Sequence, residues 1–150
     1  MNLFLGGTCT SKWRDNLIPL LDSNGIEYFN PIVDDWNEEA QKREYEAKNN
    51  CSHMLYIITP LMEGVFSIAE AVDDSNKRPD KTIFIYMPTD VDGINKFDKG
   101  QIKSLKAVET MIKNNGGYSY CAHNIEDAFS FIKTIKDEIR DIDKELNNLN

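Results

Sequence analysis

Residues 53–88 read HMLYIITPLMEGVFSIAEAVDDSNKRPDKTIFIYMP. The run His53–Thr59 is β-branched and aromatic and stops at Pro60, the pattern of a strand. Thr82–Tyr86 repeats the pattern, and Pro88 closes it. Between them, Ser67–Ser75 puts Ile68, Ala71 and Val72 on one face, which predicts a helix, and Asn76–Asp80 breaks it. The segment is one strand–helix–strand unit.

The same alternation extends in both directions. Asn2–Leu5 is a short apolar run that stops at Gly6 and Gly7, a buried strand opening into a tight loop. Trp13, Leu17, Leu20 and Leu21 recur at helical spacing, with a stop at Asn24 and Gly25. Ile26–Phe29 reads as a second strand, ended by Asn30 and Pro31. Glu38–Asn50 is charged throughout and reads as an exposed helix, with Glu38 and Lys42 four apart. Residues 88–99 form a polar loop. Ile102, Leu105, Val108, Met111 and Ile112 make a helical stripe that ends at Asn115–Gly117. Tyr118–Cys121 is a further strand, and a last helix runs from Ile125 to Leu146 with Phe129, Ile132, Ile135 and Ile139 inward. Such alternation makes a parallel sheet covered on both faces. Right-handed crossovers leave few topologies, and the expectation is an α/β, flavodoxin-like, doubly wound five-stranded sheet of order 2-1-3-4-5.

The length of 150 residues suits a single domain spanning 1–150, and neither linker nor repeat interrupts it. Lys and Arg total 17 against 25 Asp and Glu, a formal charge of -8. That balance argues against nucleic-acid polymers and anionic membrane surfaces as partners, because both need a basic footprint. No apolar run reaches the roughly 18 residues of a membrane span. The first residues lack the basic start and apolar length of a signal peptide. Cys9, Cys51 and Cys121 are scattered, and His53 and His123 form no ligand cluster. A disulfide framework or a metal site is not expected, and a reducing cytoplasm is the natural setting.

Ligands of such sheets sit beyond the carboxyl ends of the strands, which selects three loops. In the first, Gly6, Gly7 and Thr8 allow close backbone approach and lead into Lys12, Trp13 and Arg14. The spacing is neither GxxxxGK[ST] nor GxGxxG, and a plain turn capped by Thr10 or Ser11 is the simpler reading. The second loop holds Asn30, Pro31, Asp34, Asp35 and Trp36. Its carboxylates can accept hydroxyl or amine protons, and its indole can pack a ring. Equally, Asp34 or Asp35 can cap the following helix. The third loop contains Glu63, Gly64, Ser67 and Glu70. A carboxylate in the first turn of a helix at a strand end can act as nucleophile or base in glycosyl chemistry. Ser67 and Glu70 also have the spacing of a capping box, and on spacing alone the capping box wins. Asp73 lies one turn from Glu70 on the same face.

Together, FLGGTCTSKWRDNLIPLL (4–21), YFNPIVDDW (28–36) and HMLYIITPLMEGVFSIAEAVDDSNKRP (53–79) resemble the nucleoside 2-deoxyribosyltransferase-like family, and within it the small bacterial and phage branch. The resemblance spans residues 3–115. It implies a flavodoxin-like fold and cleavage of N-glycosidic bonds in 2′-deoxynucleosides or their monophosphates, without metal or cofactor. It implies that Glu70 attacks the anomeric carbon, that Gly6, Gly7 and Thr8 frame the nucleoside, and that Asp34 or Asp35 handles the base. It also implies a homo-oligomer. The chain departs from the family pattern in two places. An aspartate usually stands about two turns before the glutamate; here Glu63 is the nearest acid. A first-loop tyrosine is replaced by Thr8 or Cys9. Two other readings share the crevice: a nucleotide or nucleotide-sugar binding module without turnover, and an N-glycosidase on a larger, NAD-type nucleotide. Lys12 and Arg14 could contact a phosphate or simply begin a solvated helix.

Overall fold

The computed structural model describes residues 1–150. Its strands are β1 (Asn2–Gly7), β2 (Glu27–Phe29), β3 (His53–Ile58), β4 (Thr82–Tyr86) and β5 (Tyr118–Cys121). Helices α1 (Trp13–Ser23), α2 (Glu38–Asn50), α3 (Phe66–Lys77), α4 (Lys99–Asn114) and α5 (Ile125–Asn148) alternate with them. All pairings are parallel, and the order is β2-β1-β3-β4-β5. This is the flavodoxin-like arrangement expected from the sequence.

The sheet separates two cores. Leu3, Leu5, Leu55, Ile57, Ile83 and Ile85 meet Trp13, Leu17 and Leu21 of α1 and Ala128, Ile132 and Ile135 of α5. On the opposite face, Phe4, Met54, Tyr56, Ile58, Phe84 and Tyr86 meet Ala71 of α3 and Leu105 and Ile112 of α4, with Ala47 of α2 beside them. The period-2 alternation of side chains sends Phe4 to one layer and Leu3 and Leu5 to the other. Both layers are apolar, which is why the strands read as continuous apolar runs.

Two helix starts differ from expectation. The first residue of α3 is Phe66, with Val65 at the N-cap and no side-chain cap. Ser67 therefore sits inside the helix, and the capping box does not form; its hydroxyl instead reaches Gly7 O at 3.4 Å. Helix α2 is capped by Asn37, whose side chain accepts the Ala40 N–H, so Asp34 and Asp35 are not caps. A capping box does form at α4, between Asp98 and Gln101.

Candidate active site

A cleft of about 580 Å³ opens at the carboxyl ends of β1 and β3. Small-ligand sites occupy roughly 300–1,000 Å³. The first wall is the turn after β1. Gly6 and Gly7 continue that strand past its apolar run by pairing with Tyr56 and Ile57. Gly7 has φ of 117°, and a Cβ there would stand 2.1 Å from Ile57 O. No other residue fits that approach. Thr8 then ties the turn to β3: its N–H donates to Ile57 O at 3.0 Å, and its Oγ1 accepts the Thr59 N–H at 3.0 Å.

Arg14 and Trp13 brace the same turn from beneath. The Arg14 guanidinium donates to Leu5 O at 3.1 and 2.9 Å and to Thr8 O at 2.8 Å. Burial lowers its pKa to about 10. Its donors are aimed at backbone carbonyls, so this arginine is neither a solvated helix start nor a free phosphate ligand. Lys12 is solvated and pairs loosely with Asp15 at 3.8 Å. Trp13 is fully buried, and its indole N–H donates to Thr8 O at 2.8 Å. Trp13, a candidate substrate contact by its place after the first loop, does not line the cleft: it belongs to the core beneath the loop, as its helical spacing with Leu17 and Leu21 dictates.

The remaining walls come from the other two loops and from α2. Pro31, Ile32, Val33 and Trp36 line one side, and Met62, Glu63, Gly64, Phe66, Ser67 and Glu70 line another. Asn30, Asp34 and Asp35 lie outside the cleft and are exposed. Asn30 instead shapes the turn, with its Oδ1 accepting the Ile32 N–H at 3.2 Å. Asp73 is also outside; it is exposed and paired with Lys77 at 2.8 Å. The cleft thus brings together Gly6, Gly7, Thr8, Pro31, Trp36, Glu63, Gly64, Ser67 and Glu70, and leaves out Trp13, Asn30, Asp34, Asp35 and Asp73.

Helix α2 supplies residues that the sequence reading passed over. Gln41 and Glu44 line the cleft, and Lys48 follows on the same face at the i, i+3, i+7 spacing of one helical stripe. The Trp36 indole donates to Glu44 Oε2 at 3.3 Å. Lys48 Nζ lies 3.0 Å from Glu70 Oε2 and 3.2 Å from Asp74 Oδ2. Asp74 is buried; the Tyr56 hydroxyl donates to its Oδ2, and Arg78 Nη2 donates to its Oδ1 at 3.0 Å. Burial and the Asp74 carboxylate push the Tyr56 phenol far above its ordinary pKa, so it stays a neutral donor. Glu70 Oε1 makes no hydrogen bond within the protein, and Glu70 faces the cleft. No group of three or more His, Cys, Asp or Glu side chains is placed to hold a metal ion.

The family model described as nucleoside 2-deoxyribosyltransferase like matches residues 1–88. The chain belongs to this family. The match contains every residue that lines the cleft and ends just after β4, so α4, β5 and α5 of this deoxyribosyltransferase-like chain lie beyond it. Comparison with curated proteins and with solved structures returns no match. No helix is long and apolar enough to cross a membrane.

Proposed function

We propose that the protein transfers the 2-deoxyribosyl group of a nucleoside or nucleotide from one base to another, with Glu70 as nucleophile. The observation that carries this reading is the Glu70 carboxylate itself. It faces a cleft of nucleoside size with Oε2 paired to a cation and Oε1 free. The membership of residues 1–88 in a nucleoside 2-deoxyribosyltransferase-like family supports the same assignment.

In the first step, a lone pair of Oε1 forms a bond to C1′. The C1′–N bond breaks, and its electron pair leaves with the base, which takes up a proton. In the second step, a nitrogen lone pair of the acceptor base attacks C1′. The C1′–Oε1 bond breaks, its pair returns to Glu70, and the acceptor loses a proton. Two inversions retain configuration. The apolar side chains of Ile32, Val33, Trp36, Met62 and Phe66 suit the faces of base and sugar. Asp34 and Asp35, candidates for the proton transfer, do not line the cleft. Glu44, half-buried with one oxygen fixed by Trp36, takes that role in our reading.

The test is base exchange between a deoxynucleoside and a second free base, followed by chromatography. The wild-type protein is expected to form the new nucleoside, and Glu70→Ala to slow it by roughly a thousandfold or more. Full activity in Glu70→Ala removes Glu70 from the mechanism. Free base with no new nucleoside identifies water as the acceptor. Calorimetric binding without base release indicates a module that binds and does not turn over.

A further inference from the structure

The charges around Glu70 form a closed group. Lys48 and Arg78 face Glu70 and Asp74, so the four cancel while Glu70 is a carboxylate. The side chains of Lys48, Glu70 and Asp74 are only 14%, 21% and 5% exposed. The rings of Phe4 and Tyr56 hold the ammonium at 5.7 and 5.6 Å, and exclude water from its flank. Asp74 is fixed on both oxygens, by Tyr56 and Lys48 on one and by Arg78 on the other. Lys48 therefore cannot follow Glu70 without leaving Asp74.

Bond formation at Glu70 Oε1 breaks that balance. The ester is neutral, Lys48 remains protonated, and the group is left with one uncompensated positive charge. On side chains this little exposed such a charge is costly, and returning the electron pair to Glu70 removes the cost. We propose that Lys48, anchored by Asp74, is a positioning residue that acts through Glu70 by driving breakdown of the glycosyl–enzyme ester. The inference rests on the transfer reading above. In the step it promotes, the acceptor nitrogen bonds to C1′, the C1′–Oε1 bond breaks, and the pair restores the carboxylate against Lys48. The acceptor proton leaves to water, and Lys48 neither gains nor loses one.

Steady-state exchange kinetics on the wild type, Lys48→Met and Lys48→Arg test the proposal. The ratio kcat/KM reports steps up to ester formation, whereas kcat includes ester breakdown. In Lys48→Met, kcat is expected to fall about tenfold or more and KM to fall with it, with kcat/KM changed by less than about threefold. Intact-mass measurement of that variant mixed with donor should show an added deoxyribosyl group. Lys48→Arg keeps the cation and should return kcat to within about threefold of the wild type. If Lys48→Met does not fold, Lys48→Met combined with Asp74→Asn removes both charges and should give the same signature. An equal loss of kcat and kcat/KM at constant KM, with no adduct, overturns the role of Lys48, and so does an unchanged kcat. Absence of exchange by the wild-type protein overturns the transfer reading and this inference with it.

Discussion

At the scale of single residues, the cleft holds three carboxylates in different settings. Glu70 is paired with Lys48, Glu44 is half-buried and fixed by Trp36, and Glu63 is exposed. Glu44 is the carboxylate oriented by a neighbour and partly enclosed, so it suits proton exchange with a leaving base better than the exposed Glu63 does. Glu44→Gln is expected to reduce the rate of base exchange by about tenfold or more, whereas Glu63→Gln stays within about threefold. Initial rates on one purine and one pyrimidine nucleoside check this; a larger loss from Glu63→Gln reverses the assignment. The sequence made Glu70 and the glycine turn visible, because strand ends and glycines punctuate the chain. It did not make Lys48 or Glu44 visible, because a charged helix facing solvent and one facing a polar cleft have the same composition. The spacing of Gln41, Glu44 and Lys48 beside the inward Ala40 and Ala47 was the available signal. Asp34 and Asp35 drew attention through adjacency to a tryptophan, yet only that tryptophan turns inward to the cleft.

At the scale of elements, strands and helices were legible nearly end to end, since apolar runs and stripes are set by which face is buried. The misread helix starts have different causes. Asn30, Asp34, Asp35 and Asn37 all stand before α2, and composition does not say which one caps it, whereas α3 starts at Phe66 behind Val65 with no side-chain cap at all. In α5 the stripe Ile125, Ala128, Ile132 and Ile135 packs on the sheet. It continues as Ile142, Leu146 and Leu149, which are 55%, 55% and 83% exposed. Helix α5 is anchored at its other end, where Asp127 accepts the His123 N–H and the Tyr120 hydroxyl. These bonds, the backbone one foremost, hold its carboxyl below the ordinary range. Deleting Asp143–Asn150 removes only exposed residues and is expected to move the thermal midpoint by less than about 2 °C. Thermal unfolding by circular dichroism checks it; a larger drop shows that the outer turns pack on something.

At the scale of the whole molecule, the charge of -8 opposes any anionic substrate. Added salt screens that field, with a Debye length falling from roughly 10 Å at 0.1 M to 3 Å at 1 M. The KM for a 5′-monophosphate is therefore expected to fall as sodium chloride rises over this range, and the KM for the free nucleoside to stay flat. Matched titrations of the two donors check the difference; equal slopes remove the field as a factor. The acidity also sorts by position. Glu44, Glu63 and Glu70 stand on the cleft, while Asp34, Asp35 and Asp73 face water.

Every residue on the cleft precedes Ala71, and β1, β3, α2 and α3 with the loops between them supply the frame. The strand β4 that closes the far side of β3 follows within a dozen residues of Asp74. During synthesis from the amino terminus, every wall of the cleft is therefore made before α4, β5 and α5. The Gly7 turn and the Lys48 group join only segments that precede α4. The last third of the chain then adds the far edge of the sheet and the helices that cover it.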